Sequence, residues 1–161
     1  METYSSARDL FDAARDAAME CERTRQMLLR MEHAAEGIGG ASFEPRVRST
    51  SEPDRMGSRV AALIDREDAW RTRIEEDERV MAFACRVLYG ADEVGGGGID
   101  ALLGSAYADV LWWRYLAAEQ WDEVARLMAF SVRHVIDLAG TALDFVDANG
   151  IANTIAGERV I

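Results

Sequence analysis

DVLWWRYLAAEQWDEVARLMAFSVRHVIDLAGTALDFVD, Asp109 to Asp147, decides the fold of this chain. Apolar residues recur there at helical spacing, and the periodicity predicts a supporting helix, a short helix, a tight turn and a further helix. That succession is the pattern of a helix-turn-helix, the commonest device for placing a helix in the DNA major groove. The second helix of the motif opens with Val132-Arg133-His134-Val135-Ile136-Asp137, which holds one Arg and one Asp.

Outward from this stretch, the chain predicts little besides helix. It has 161 residues with only 2 Pro, and 49% of them are hydrophobic. Many Ala, Leu, Arg and Glu at that Pro content point to an all-α protein. Upstream, Ala7, Leu10, Ala14, Ala17, Cys21, Thr24, Leu28, Met31 and Ala35 alternate at spacings of three and four. They predict a long helix from Ser5 or Ser6 to about Ala35, with a narrow, Ala-rich, coiled-coil-like seam. Gly37, Gly39 and Gly40 end it. Residues 41–58 hold both prolines with several Ser and Arg, and are expected as an exposed loop. A second long helix is expected from about Arg59 to Tyr89. Its apolar face is Val60, Leu63, Ile64, Trp70, Ile74, Met81, Cys85 and Leu88, interrupted by Glu67 and Asp77. Two such helices joined by a loop should fold back as an antiparallel hairpin.

The expected organisation is a helical hairpin over residues 1–94 with its loop at 37–58, a Gly-rich hinge at 95–98, a helix-turn-helix unit at 99–149 and a tail at 150–161. Within that unit one helix is expected from Ile99 to Ala118. The tail has no clear pattern, though Ile151, Ile155, Val160 and Ile161 could pack on a neighbour. The run Gly95-Gly96-Gly97-Gly98 lacks the Gly-Lys-Ser/Thr and the preceding strand of a phosphate loop, so a flexible hinge is expected instead.

The formal net charge is −11, and all 18 basic residues are Arg. Residues 99–161 hold 4 Arg against 9 acids, so the expected DNA-binding segment is also the most acidic. Non-specific DNA affinity comes mainly from neutralised phosphates, and this segment has few cations to supply it. The one segment with positive balance, residues 41–60, holds Arg46, Arg48, Arg55 and Arg59. It is either a solvated loop or an arm that touches phosphates. No apolar run is long enough to span a membrane, and the acidic, amphipathic N-terminus is unlike a targeting peptide. Cys21 and Cys85 form no CxxC and are expected as buried apolar residues in a reducing cytoplasm.

Catalysis has no candidate. No nucleophile has a base, no carboxylates converge, and there is no cofactor fingerprint. Glu75, Glu76, Asp77 and Glu78 are consecutive, so they fan around a helix rather than form a metal site. His33 has no metal-ligand spacing around it. Trp113 and Trp121 are placed in a core by periodicity, with stacking on a base as the alternative; Trp112 is left as a candidate docking residue.

The last third of the chain resembles region 4 of the sigma-70 family of RNA polymerase factors. The match is carried by Val110-Leu111, Arg114-Tyr115-Leu116, Trp121-Asp122-Glu123-Val124-Ala125, Leu127, Ser131, Val135, Leu138 and Ala142-Leu143. In architecture the whole chain is similar to the ArpU/RinA-type phage transcriptional regulators: a long helical hairpin, a loop rich in Pro, Gly, Ser and Arg, and a sigma-like motif. The chain departs from the family pattern in the turn, where Met128-Ala129-Phe130 has no Gly, and at Gln120, where Ser or Thr usually caps the first motif helix.

The resemblance implies a cytoplasmic regulator of late phage or prophage genes that binds double-stranded DNA, with RNA polymerase as a possible second partner. It implies that Ser131 caps the reading helix. It places Val132, Arg133, Ile136, Asp137 and Thr141 toward DNA, with His134 as a further phosphate contact or a plain surface residue. Arg133 is the best reader of base or phosphate among them, and Thr141 is a lesser one. The competing expectation is a protein-interaction module of the same fold, docking on RNA polymerase or a phage partner without reading DNA. A homodimer is expected in either case, because the two long helices offer more apolar surface than one hairpin buries. No cofactor and no metal are expected.

Overall fold

A computed structural model describes residues 4–38, 54–91 and 96–161. All regular structure among them is helical, so the protein is all-α. The helices are α1 (Ala7–Ile38), α2 (Asp54–Tyr89), α3 (Gly98–Leu103), α4 (Ser105–Leu111), α5 (Trp121–Met128), α6 (Val132–Asn149) and α7 (Ile151–Ala156). A π-helical turn, Trp112–Leu116, prolongs α4.

The chain forms two compact units, and the division cuts through both long helices. One unit joins Met1–Met19 to Asp77–Ile161; the other is Glu20–Glu76. The beginning of α1 and the end of α2 thus belong with the C-terminal helices rather than with a separate hairpin.

In the larger unit, Ser6 starts α1 as a cap: its hydroxyl accepts the Asp9 amide at 3.1 Å. The α1 seam then enters the core at Ala7, Leu10, Phe11 and Ala14, all 0% exposed. It meets Ala84, Val87 and Leu88 of α2 and the inner faces of α4 and α6 in one continuous cluster. Burial of each large side chain there contributes about 1.5–3 kcal/mol. The Phe11 ring packs 5.5 Å from that of Tyr115, and Tyr4 stacks on Phe83 at 6.1 Å. Asp147 of α6 accepts the Ala7 amide at 2.5 Å, one of the orphan donors of the first α1 turn.

The smaller unit buries the next stretch of the seam, Cys21, Thr24 and Leu28, and leaves Met31 half-buried. Two ion pairs cross between the helices, Glu20 with Arg73 and Glu32 with Arg71. As α1 is ascended the partner on α2 descends, so the two segments run antiparallel.

Several expectations need correction. The segment expected as a loop to residue 58 is helical from Asp54. Arg46 and Arg48 lie outside the described residues, while Arg59 sits exposed on α2. The start of the α2 face, Val60, Leu63 and Ile64, is not buried but 52–54% exposed. The single helix expected from Ile99 to Ala118 is broken at Gly104, whose φ of 108° no L side chain adopts readily. It then widens into the π turn at Trp112–Leu116.

The tail is ordered as α7, and one side chain explains why. Asn149 is 2% exposed. Its amide nitrogen donates to Thr154 Oγ1 at 3.2 Å and to the Glu158 carbonyl at 2.8 Å, and its Oδ1 accepts the Val160 amide at 2.7 Å. The described end of the glycine run is packed rather than open. Gly97 and Gly98 are buried, and a Cβ on Gly97 would lie 2.2 Å from the Ile155 carbonyl oxygen. Only glycine lets α7 approach this closely.

Candidate nucleic-acid interface

The α5–α6 pair is shaped by its ends. Gln120 precedes α5 with no side-chain cap bond, consistent with its weak capping chemistry. At the other end Ala129 takes the left-handed conformation, φ 55° and ψ 38°. The Phe130 amide then returns to the Ala125 carbonyl at 3.0 Å, closing α5 in the way a glycine usually does. Ser131 caps α6, its hydroxyl accepting the His134 amide at 3.2 Å. Two helices are thus joined by the three residues Ala129, Phe130 and Ser131.

The α6 periodicity divides the helix cleanly. Val135, Leu138, Ala139, Ala142 and Leu143 are buried. Val132, Arg133, His134, Ile136, Asp137 and Thr141 are all exposed. The six residues expected toward DNA therefore share one solvent face.

The chemistry of that face is mixed. The Arg133 side chain is 92% exposed, with its Nε 4.0 Å from an Asp137 carboxylate oxygen. At that separation and exposure the pair is weakly held. The Thr141 hydroxyl donates to the Asp137 carbonyl at 2.9 Å, leaving its lone pairs as the outward function. The His134 ring stands edge-on to Phe130 at 4.8 Å. Val132 and Ile136 expose apolar surface, as do Leu127 and Phe130 beside them, each between 38% and 43% exposed. Leu127 enters the sequence reading only as part of the sigma-like match and Phe130 only as a turn residue; the exposed apolar surface they form beside α6 is not expected from it. The rest of the exposed α6 face adds Asp144 and Asp147 and no further cation.

The tryptophans occupy neither extreme. Trp113 and Trp121 are half-buried against the core rather than enclosed in it, and Trp112 is half-buried too. Trp112 is not an exposed docking residue, because its ring packs edge-on against Trp113 at 4.8 Å. Trp121 carries the Arg114 guanidinium over its ring at 4.6 Å.

No group of His, Cys, Asp or Glu among the described residues could hold a metal ion. Glu75, Glu76 and Glu78 are exposed and Asp77 is half-buried. His33 is exposed on α1. Cys21 is buried; Cys85 is half-buried, and burial raises its thiol pKa. No described helix is long and apolar enough to cross a membrane.

Comparison of the chain with protein-family models, curated proteins and solved structures gives no match.

Proposed function

We propose that this protein is a DNA-binding transcriptional regulator of phage type, with α5 and α6 acting as a sigma-like helix-turn-helix. One observation carries the reading. The tight Ala129–Ser131 turn and the Ser131 cap leave the first turns of α6 exposed with Arg133 at their outer edge. A reading helix enters the major groove by its N-terminal residues. Arg133 contacts base or phosphate, Thr141 and His134 are lesser contacts, and Val132, Ile136 and Asp137 line the groove. The protein acts in the cytoplasm as a homodimer, with RNA polymerase as a second partner. Its dimer surface is drawn from the exposed Val60, Leu63 and Ile64 of α2.

The test is fluorescence anisotropy at low salt on duplexes from the protein's own genomic neighbourhood, with and without RNA polymerase. The expected result is weak, salt-sensitive binding that Arg133→Ala lowers about tenfold. Equal binding by the variant removes α6 as the reader.

A second reading is favoured by a specific observation, the apolar surface of Leu127, Phe130, Val132 and Ile136, where α6 itself offers one exposed Arg. On that reading the same face docks on a protein and reads no DNA. Absence of binding at high micromolar protein, with or without polymerase, selects it.

A further inference from the structure

Arg15 of α1 and Arg114 of the π turn converge on one short loop. Arg15 Nη2 donates to the Ala118 carbonyl at 3.4 Å, and Arg114 Nη1 donates to the adjacent Glu119 carbonyl at 2.9 Å. Both carbonyls lie in the loop between the π turn and α5. The arrangement is nonetheless costly. The Nε of each guanidinium is buried without a hydrogen-bond partner among the described residues, and such orphaned donors are rare. Neither guanidinium has a carboxylate within salt-bridge distance among those residues. The charges also oppose each other: burial pulls the Arg114 pKa down, and the Arg15 charge pulls it further. Arg8, Asp12 and Arg15 lie one and two turns apart on the same α1 face, and all three act on Tyr115 together with Arg114. Three of the four charges that act on Tyr115 are cations, in a chain whose net charge is −11.

We propose that Arg15 and Arg114 clamp a phosphoryl oxyanion, that of the DNA backbone passing the start of α5. The outward Nη1 of Arg15 and Nη2 of Arg114 take no protein acceptor among the described residues, and they are the donors offered to it. Guanidinium forks suit phosphate geometry, and a bound anion would offset the like-charge repulsion. The assignment to DNA rests on the regulator reading above, in which the first motif helix crosses the backbone. Arg114 lies over Trp121, the first residue of α5. The clamp supplies the phosphate contact that the exposed α6 face, with one Arg, lacks.

Arg15→Gln is the test variant, because Arg15 makes one long carbonyl contact and its loss leaves the Arg114–Trp121 stack in place. The full chain is melted with millimolar inorganic phosphate against chloride at equal ionic strength. The logarithm of DNA affinity is then measured against the logarithm of salt concentration for both proteins. The expected results are a phosphate-dependent rise in Tm that Arg15→Gln abolishes, and a salt slope shallower by about 1 in the variant. Arg15→Lys should retain part of both. Identical phosphate response and identical slope in wild type and Arg15→Gln overturn the clamp. A phosphate response lost in the variant with an unchanged slope assigns the site to free phosphate and overturns the DNA source. Failure of every protein to bind DNA, with the phosphate response still lost in Arg15→Gln, overturns the regulator reading and leaves the oxyanion site standing.

Discussion

Asp137 sits one helical turn beyond Arg133 and draws on the same guanidinium that the proposed interface needs. A carboxylate on a DNA-facing surface also repels phosphate. Asp137→Asn removes both effects without changing shape. It should raise affinity for duplex DNA several-fold at low salt, read by anisotropy, while Asp137→Asn with Arg133→Ala should fall back to the level of the Arg133 variant. A second residue sets a pH limit. Burial, followed by the charges of Asp109 and the groups near it, raises the Tyr89 phenol from 10.0 to about 12. The folded state holds this proton where the unfolded chain releases it. The stability that Tyr89 contributes is therefore intact below pH 10 and is lost as pH rises toward 12. Absorbance at 295 nm should show Tyr89 titrating late alongside Tyr115, whose phenol burial also raises, and Tyr89→Phe should remove one of these late titrations and reduce the alkaline loss of stability.

At the scale of elements, two backbone positions make opposite predictions. Ala129 holds a left-handed conformation that costs an L residue roughly 1 kcal/mol. Ala129→Gly should raise stability by up to about 0.5 kcal/mol in urea unfolding, because relief of that strain exceeds the added freedom of the unfolded chain. Gly97→Ala should instead destabilise by about 3 kcal/mol, since its Cβ would meet the Ile155 carbonyl oxygen and the whole α7 crossing must shift. If Gly97→Ala melts with the wild type, the crossing is looser than described.

For the whole molecule, the seam expected along α1 is the one that is buried from Ala7 to Leu28. The matching face of α2 is covered toward its C-terminal end, at Ala84, Val87 and Leu88, and open at Val60, Leu63 and Ile64. That exposed apolar row is the surface proposed above for the dimer. If it joins two copies, sedimentation at tens of micromolar should show a dimer, and Leu63→Glu should yield monomers of unchanged helicity. A wild-type monomer at that concentration removes the dimer.

The all-α class and the α1 seam were legible because each is local, while the Ser131 cap and the outward positions of α6 were expected through the family resemblance and are local as well. Helical periodicity and side-chain capping are set within a few residues, and the sequence carries that spacing directly. Sequence alone also determined the sparse charge of the α6 face, since Arg133 is the one cation among its outward positions. Only tertiary structure decided the rest. It showed Gly97 and Gly98 packed in a crossing, because Ile155 lies far away in sequence. It ordered the tail through Asn149, whose partners are backbone groups with no sequence signature. It brought Arg15 beside Arg114 across 99 positions by packing α1 against the π turn, an encounter that no periodicity records.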